Sequence, residues 1–170
     1  MFPETHSQRG GKAKQPHSEL LLRLHLESNP DALCIVRAAV QGATEVLHFH
    51  EAAARAIVRS VDEALANVIR HAYKGKKGMP IEVICHRLWS DATASSPEGI
   101  EILLEDSGEP ADLSKLKGRP LDDIRPGGLG LHFMKQSMDV VEFNHQSGKN
   151  VLRLVKYLST PKPGENPEEM

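Results

Sequence analysis

The stretch that decides the fold is Asp62–Tyr73, which reads DEALANVIRHAY. It forms the second half of a predicted helix from His50 to Tyr73, whose Ala, Arg and Leu content favours the helical state. At about 100° per residue, the apolar side chains of this helix fall on one face. They are Ala54, Ile57, Val58, Val61, Leu65, Val68 and Ala72. The pattern indicates an amphipathic helix with that face in the core.

The opposite face of the same helix is polar. Residues three and four apart share an arc of a helix, so four polar side chains gather there: Glu63, Asn67, Arg70 and His71. A solvated outer face would explain such a pattern in most helices. Asn67, however, is a poor residue for a helix interior. With Glu63 one turn before it, the pair offers hard oxygen groups able to orient a hydrated Mg²⁺ and a nucleophile.

A second candidate site follows the apolar segment IEILLE at 100–105, where the sequence continues as Asp106-Ser107-Gly108. A carboxylate at the end of a buried strand lies at the rim of a pocket. Asp106 could there accept a hydrogen bond from an exocyclic amine such as that of adenine. Gly108 would let a flat base approach the backbone. Asp-Ser-Gly is also an ordinary turn sequence, so this signal is weak alone.

A third candidate site is Pro126–Leu131, which reads PGGLGL and runs into a predicted helix. Three glycines in four positions expose backbone N–H groups, and the helix behind them adds the positive end of its dipole. Together these features suit a phosphate cradle. A plain flexible loop is the alternative.

Working outward from these stretches, the predicted order is β, α, α, β, β, long loop, α, β, β. The predicted strands cover 20–27, 81–89, 100–105, 140–143 and 151–158, and Gln146–Lys149 reads as a hairpin turn. The other two helices cover about 30–47 and 128–138. This order predicts an α+β, two-layer sandwich with a mixed, mostly antiparallel sheet and helices on one face. The domain is expected at 18–158, between disordered tails at 1–17 and 159–170.

The composition and the net charge argue against several classes of protein. The 170 residues fit one globular domain, with 39% hydrophobic and 26% charged residues. A net charge of -2 argues against a basic nucleic-acid surface. Cys34 and Cys85 form no CxxC pair, which excludes a disulfide framework and argues against a cysteine zinc site. No apolar run approaches the roughly 20 residues that span a membrane, and no secretory signal opens the chain. We therefore expect a cytoplasmic protein that contacts neither nucleic acid nor membrane.

The order and spacing of the three stretches resemble the GHKL ATP-binding fold of gyrase and histidine kinases. The anti-sigma regulatory serine/threonine kinases of bacteria are the most similar subgroup. Asp62–Tyr73 resembles their N box, Asp106–Asp112 their first glycine box and Arg125–His132 their second. Met138–Phe143 is similar to the usual continuation. The resemblance covers about residues 18 to 158.

The resemblance implies a role for each matching residue. Asn67 is expected to hold Mg²⁺, which bridges the ATP phosphates, and Glu63 to be the general base for the attacking hydroxyl. Asp106 is expected to bind the adenine amine, with Gly108 beside the ring. The backbone N–H groups expected at the phosphates belong to Gly127, Gly128, Leu129, Gly130 and Leu131. Residues 109–127 would form the lid over ATP, and the basic lid residues Lys115, Lys117, Arg119 and Arg125 are all candidates for the γ-phosphate.

The resemblance also implies a function. The leading hypothesis is an ATP- and Mg²⁺-dependent serine/threonine kinase that acts as an anti-sigma factor in partner switching. Its substrate would be an anti-anti-sigma protein of the STAS type, its other client would be a sigma factor, and a homodimer is a family expectation. The alternative is an ATP-gated protein-binding module without phosphotransfer. A histidine kinase would need a helical segment that carries a phosphoacceptor histidine, which we do not expect here.

Overall fold

Five strands form one sheet in the computed structural model, which describes residues 17–90, 97–110 and 129–158. The sheet order is β1-β2-β3-β5-β4. The strands are β1 (His17–Glu27), β2 (Pro80–Trp89), β3 (Gly99–Asp106), β4 (Val140–Gln146) and β5 (Lys149–Tyr157). The α-helices of the described residues are α1 (Ala32–Val46), α2 (Glu51–Asn67) and α3 (Leu129–Ser137). The predicted α+β class and order of elements are confirmed.

Every pairing between these strands is antiparallel. The hairpin between β4 and β5 turns through Ser147 and Gly148, with φ angles of 54° and 77°. Positive φ at both central residues matches the twist of the flanking strands, which is why tight hairpins favour it. The predicted hairpin is therefore confirmed. β1 pairs with β2 from His17 onward, three residues before the predicted strand begins, because cross-strand bonds override weak local propensity.

The helices cover one face of the sheet, and the core lies between the two layers. The predicted apolar face of α2 is buried at Ala54, Ile57, Val58, Val61 and Leu65. The sheet contributes alternate residues from its central strands, as a pleated strand with one buried face must. These are Ile81, Val83 and Cys85 on β2, Ile100, Ile102 and Leu104 on β3, and Leu152 and Leu154 on β5. This packing fixes α2 across the sheet and directs its polar face away from it.

The end of α2 differs from the regular helix that the sequence predicts. Residues Val68–Ala72 form a π turn, which closes with the N–H of Tyr73 donating to the carbonyl of Val68. Tyr73 is buried at its end. Such wide turns are rare in helices and occur often at functional sites. This one directly follows Asn67.

Several predictions fall on residues that the structure does not describe. They include the two tails apart from His17, most of the lid, and the glycines Gly127 and Gly128. Within the described residues, no helix is long and apolar enough to cross a membrane.

Candidate functional site

Glu63 and Asn67 face a groove of about 450 Å³ between α2 and α3. The spacing of one helical turn brings both side chains to the same side, as predicted. Arg70, from the π turn, lines the groove as well. His71 is exposed and does not contribute to the lining. The polar face of the helix therefore separates into three residues that share the groove and one that does not.

Gly130 lies directly against Glu63. A Cβ atom at position 130 would stand 2.7 Å from Oε2 of Glu63, closer than side chains approach one another. The missing side chain lets the first turn of α3 pack beside the carboxylate. The resemblance implies a phosphate contact for the backbone of Gly130, and the structure shows in addition that a side chain at this position would push against the carboxylate of Glu63.

The first turn of α3 contains Leu129, Gly130 and Leu131, three of the predicted phosphate-binding residues. The N–H groups of a first helical turn have no partner within the helix. Leu131 is half-buried and packs against the core, so its side chain anchors the helix end. Backbone donors and the positive end of the helix dipole thus lie beside the groove that contains Glu63.

Arg59 and Phe133 line the same groove, and neither is among the site residues predicted from the sequence. The guanidinium of Arg59 stacks over the Phe133 ring, 4.2 Å from its centroid. Arg59 precedes Glu63 by one helical turn, and that spacing is the signal that could have identified it. Cation–π stacking holds this positive charge at one end of the groove.

The second part of the site is the turn after β3. Asp106 is buried, and its Oδ1 accepts hydrogen bonds from the N–H of Gly108 at 2.8 Å and from Nδ2 of Asn150 at 2.7 Å. Asn150 is a residue that the sequence analysis missed. Asn is depleted in strands, and its presence near the start of β5 is the signal that could have found it.

Gly108 packs on the end of the α2 segment rather than facing open space. A Cβ atom there would lie 2.6 Å from the carbonyl oxygen of Ala72 and 2.8 Å from its Cβ. The next residue, Glu109, donates its N–H to that same carbonyl at 3.0 Å. The sequence predicts that glycine at position 108 serves the close approach of a base. The structure gives a different reason for glycine, which is the approach of two backbone segments.

Tyr73 ties this turn to the helix from the other side. Its hydroxyl accepts a hydrogen bond from the N–H of Ser107 at 2.9 Å and donates to the carbonyl of Pro80. Burial raises the pKa of Tyr73, and the negative charge of Asp106 adds to the increase, while the Ser107 N–H opposes it. The hydroxyl therefore remains protonated around neutral pH, and the turn is fixed to the helix that carries Glu63 and Asn67.

A model of the histidine kinase-like ATPase domain matches residues 26–156 of the chain. The chain belongs to this family. The predicted resemblance is thereby confirmed, and a histidine kinase-like ATPase domain implies that the chain binds ATP.

Curated relatives of this histidine kinase-like ATPase domain are similar over most of its length. The chain is 25% identical over 146 residues to the serine-protein kinase RsbW of Oceanobacillus iheyensis, covering 81% of this chain and 87% of the relative. It is 27% identical over 147 residues to RsbW of Bacillus pumilus, covering 82% and 86%. RsbW of Listeria innocua is 27% identical over 153 residues, covering 85% and 92%.

Solved structures share the fold at lower sequence identity. The RsbU and RsbW domains of a Mycobacterium tuberculosis protein match with a TM-score of 0.55 and 18% identity, over 82% of this chain and 33% of that longer chain. The SiaB–SiaC complex of Pseudomonas aeruginosa matches with a TM-score of 0.54 and 14% identity, over 82% and 91%. These matches agree with the α+β architecture.

Proposed function

We propose that this chain is an ATP-dependent serine/threonine protein kinase that acts as an anti-sigma regulatory factor. The observation that carries the proposal is the position of Glu63, one helical turn from Asn67 in the groove and against Gly130 at the start of α3. A carboxylate beside a phosphate cradle has a use in phosphotransfer, where a base must meet the incoming hydroxyl. The relatives named serine-protein kinase support the same reaction.

The residues present fit Mg²⁺. Asn67 offers a carboxamide oxygen, which is a hard ligand, and the groove leaves room for water and phosphate oxygens as the remaining ligands. We propose that Asn67 holds the ion. When bound, Mg²⁺ would neutralise charge on the β- and γ-phosphates and so favour attack at the γ-phosphorus.

The proposed transfer is a single displacement. The oxygen of a serine or threonine hydroxyl forms a bond to the γ-phosphorus, the bond to the bridging oxygen of ADP breaks, and Glu63 takes the hydroxyl proton. The N–H groups at the start of α3 stabilise negative charge on the phosphates. Arg59 and Arg70 line the same groove and add positive charge. Positioning and electrostatics account for the catalysis in this scheme.

We propose that Asp106 receives the adenine amine, beside Gly108, and that Gly127, Gly128, Leu129, Gly130 and Leu131 donate backbone N–H groups to the phosphates. The burial of Asp106 and its fixed contacts support the first assignment. The glycine contact with Glu63 supports the second, because it brings the start of α3 to the proposed base.

The proposed substrate is an anti-anti-sigma protein of the STAS type, and the proposed second client is a sigma factor. A neighbour of the same fold, SiaB, was solved in complex with SiaC, which supports a protein partner. These clients act on transcription inside the cell, so the proposal includes a cytoplasmic location.

We also propose a homodimer that pairs the sheet faces free of helices. Leu20 and Tyr157 are exposed by 51% and 41%, and the strand register supports their position on that face. Pairing of these faces would remove both apolar side chains from water.

The alternative function is an ATP-gated binding module in which nucleotide binding changes only the affinity for a partner. Glu63 separates the two hypotheses, because a module without phosphotransfer has no need of a base in the groove. Replacing Glu63→Gln removes the charge and keeps the shape. We expect ATP affinity to remain within a few-fold, and transfer of γ-phosphate to fall by roughly 10²–10⁴-fold, the usual worth of a general base. The measurement is transfer of labelled phosphate to the cognate partner beside a binding titration.

Two further variants complete the experiment. Asn67→Ala should lose Mg²⁺-dependent ATP binding and activity together, since its proposed role precedes the chemical step. Glu45→Gln, which alters an exposed carboxylate on α1, serves as the matched control and should behave as wild type. Equal transfer by Glu63→Gln and wild type would remove Glu63 as the base. No transfer by wild type to any ATP-dependent partner would favour the binding module.

A further inference from the structure

Three side chains form a row across neighbouring strands at the edge of the proposed adenine site. The register pairs Asp106 of β3 with Asn150 of β5, and Asn150 with His145 of β4. Directly opposed residues in an antiparallel sheet have side chains close enough to interact. Here Nδ2 of Asn150 lies 2.7 Å from Oδ1 of Asp106, and Oδ1 of Asn150 lies 2.7 Å from Nδ1 of His145.

The chemistry of these contacts fixes the orientation of the Asn150 amide. Its second neighbour toward β3 is the carbonyl oxygen of Gly108, 3.1 Å from Nδ2. A carboxylate and a carbonyl are both acceptors, so only the NH₂ end of the amide can face them. The oxygen end then faces His145, whose Nδ1–H donates to it. A flipped amide would place its oxygen against the Asp106 carboxylate and the Gly108 carbonyl, which are both acceptors.

The two carboxylate oxygens of Asp106 differ in the hydrogen bonds that they accept. Oδ1 accepts from both Asn150 and the N–H of Gly108. Oδ2 receives no hydrogen bond from the residues that the structure describes. With Oδ1 held by two donors, the carboxylate cannot rotate without losing both, and Oδ2 remains as the oxygen available to a ligand.

We propose that Asn150 is a positioning residue that holds the Asp106 carboxylate for a purine carrying an exocyclic amine, and so sets the selectivity of the site for that amine. The inference rests on the proposed role of Asp106 in the adenine site. The β4–β5 hairpin lies outside the three stretches of sequence that identified the site. In this proposal it contributes to the selectivity for the nucleotide.

The test compares ATP with purine riboside triphosphate, which differs only by lacking the amine. The ratio of their affinities, measured by calorimetric titration, isolates the contribution of the amine. In Asn150→Leu the carboxylate keeps only the hydrogen bond from the N–H of Gly108, so its orientation is held less firmly. We expect the ratio to fall by roughly tenfold, the scale of one hydrogen bond to a charged group. The affinity for purine riboside triphosphate should change little. A purely structural role for Asn150 would weaken both ligands alike.

Two variants make the comparison robust. Asn144→Leu makes the same substitution at an exposed position on the adjacent strand, and it should retain the wild-type ratio. Asn150→Asp keeps the shape of the side chain, but its carboxylate cannot donate a hydrogen bond at pH 8. The ratio of the two affinities should therefore fall in this variant as well. Thermal unfolding of each variant establishes that it is folded.

The outcomes separate this inference from the proposed function. An unchanged ratio in folded Asn150→Leu and Asn150→Asp would overturn the inference and leave ATP binding intact. Equal wild-type affinity for the two nucleotides would also overturn it, since no amine would then be read. Failure of the wild type to bind ATP at millimolar concentration would overturn the proposed function and this inference together.

Discussion

Glu63 is confined by a residue far from it in sequence. Oε2 of its carboxylate lies 2.7 Å from the position that a Cβ atom at residue 130 would take, so a larger residue there would displace the end of the Glu63 side chain. The same helix face carries Arg59, which is held by Phe133. The chemistry proposed for the groove thus depends on two features of α3, which are the ring of Phe133 and the missing side chain of Gly130.

The two cysteines differ in their exposure to solvent. Cys34 is exposed on α1, and Cys85 is fully buried in β2. Burial raises the pKa of the Cys85 thiol to about 12. The thiolate is the reactive form, so at neutral pH Cys85 is both protonated and shielded.

This difference in burial predicts which of the two thiols reacts in the native chain. At pH 8 under native conditions, an aromatic disulfide reagent should label one thiol per chain, and Cys34→Ser should reduce that to none. In denaturant both thiols of the wild type should react. Rapid labelling of two thiols in the native wild type would contradict the burial of Cys85. The readout is the absorbance of the released thiolate.

At the scale of elements, the turn after β3 and the end of α2 form one unit. Gly108 packs against Ala72, Glu109 donates to the Ala72 carbonyl, and Tyr73 accepts from Ser107. Lys74 adds an exposed ion pair with Glu109, which contributes little at this exposure. The helix that carries Glu63 is therefore joined, through the π turn at its end, to the turn that follows Asp106.

Gly108→Ala should disrupt that unit. The added Cβ meets a backbone carbonyl at 2.6 Å, and a backbone segment must move to admit it. We expect a loss of about 1–3 kcal/mol in the free energy of unfolding, as for overpacked sites, with weaker ATP binding. The measurements are urea unfolding and a nucleotide titration.

Gly42→Ala is the matched control. Gly42 lies within α1, and nothing stands within 4 Å of the position of an added Cβ. Alanine is the better helix former by about 0.8–1.0 kcal/mol, so this variant should be more stable than wild type and bind ATP normally. The two glycine substitutions should therefore change stability in opposite directions. A neutral Gly108→Ala would show that the turn moves freely against the helix.

At the scale of the whole molecule, the sheet has two unlike faces. One carries the helices and the core. The other carries ion pairs, in which Arg153 joins Glu101 at 2.6 Å and Glu142 at 2.8 Å, together with the exposed side chains Leu20 and Tyr157. The groove that contains Glu63 and Asn67 lies in the helical layer, so the second face can contact another copy of the chain without covering the proposed nucleotide site.

The proposed homodimer gives a prediction at this scale. Light scattering after gel filtration should give twice the 18.7 kDa mass of one chain. The double substitution of Leu20→Lys and Tyr157→Lys should give a folded monomer, because charge on both surfaces repels. Ile35→Lys, which alters an exposed side chain on α1, is the control and should remain dimeric. A wild-type mass of one chain would reject the dimer, and dissociation by Ile35→Lys would reject this face.

Much of the fold could be predicted from the sequence, because many of its features depend on residues that are close together in the chain. The 3.6-residue period of α2 predicts its buried face, since side-chain direction along a helix depends only on spacing. The hairpin at Gln146–Lys149 follows from turn chemistry in the same way. The joint position of Glu63 and Asn67 also follows, because residues one helical turn apart lie side by side. Of Arg70 and His71, which both lie in the π turn, only Arg70 lines the groove. The π turn at Val68–Ala72 escaped prediction, since no local propensity in the sequence sets it apart from a regular helix.

The sequence by itself therefore determined the order of elements, the polar face of α2 and the family of the chain. Only the tertiary structure decided which distant residues meet there. Asn150 reaches Asp106 across 44 residues of sequence through the β3–β5 register, and Gly108 meets Ala72 because β3 ends beside α2. A one-residue change of register would reverse every side chain of a strand, so such contacts exist only once the whole sheet has formed.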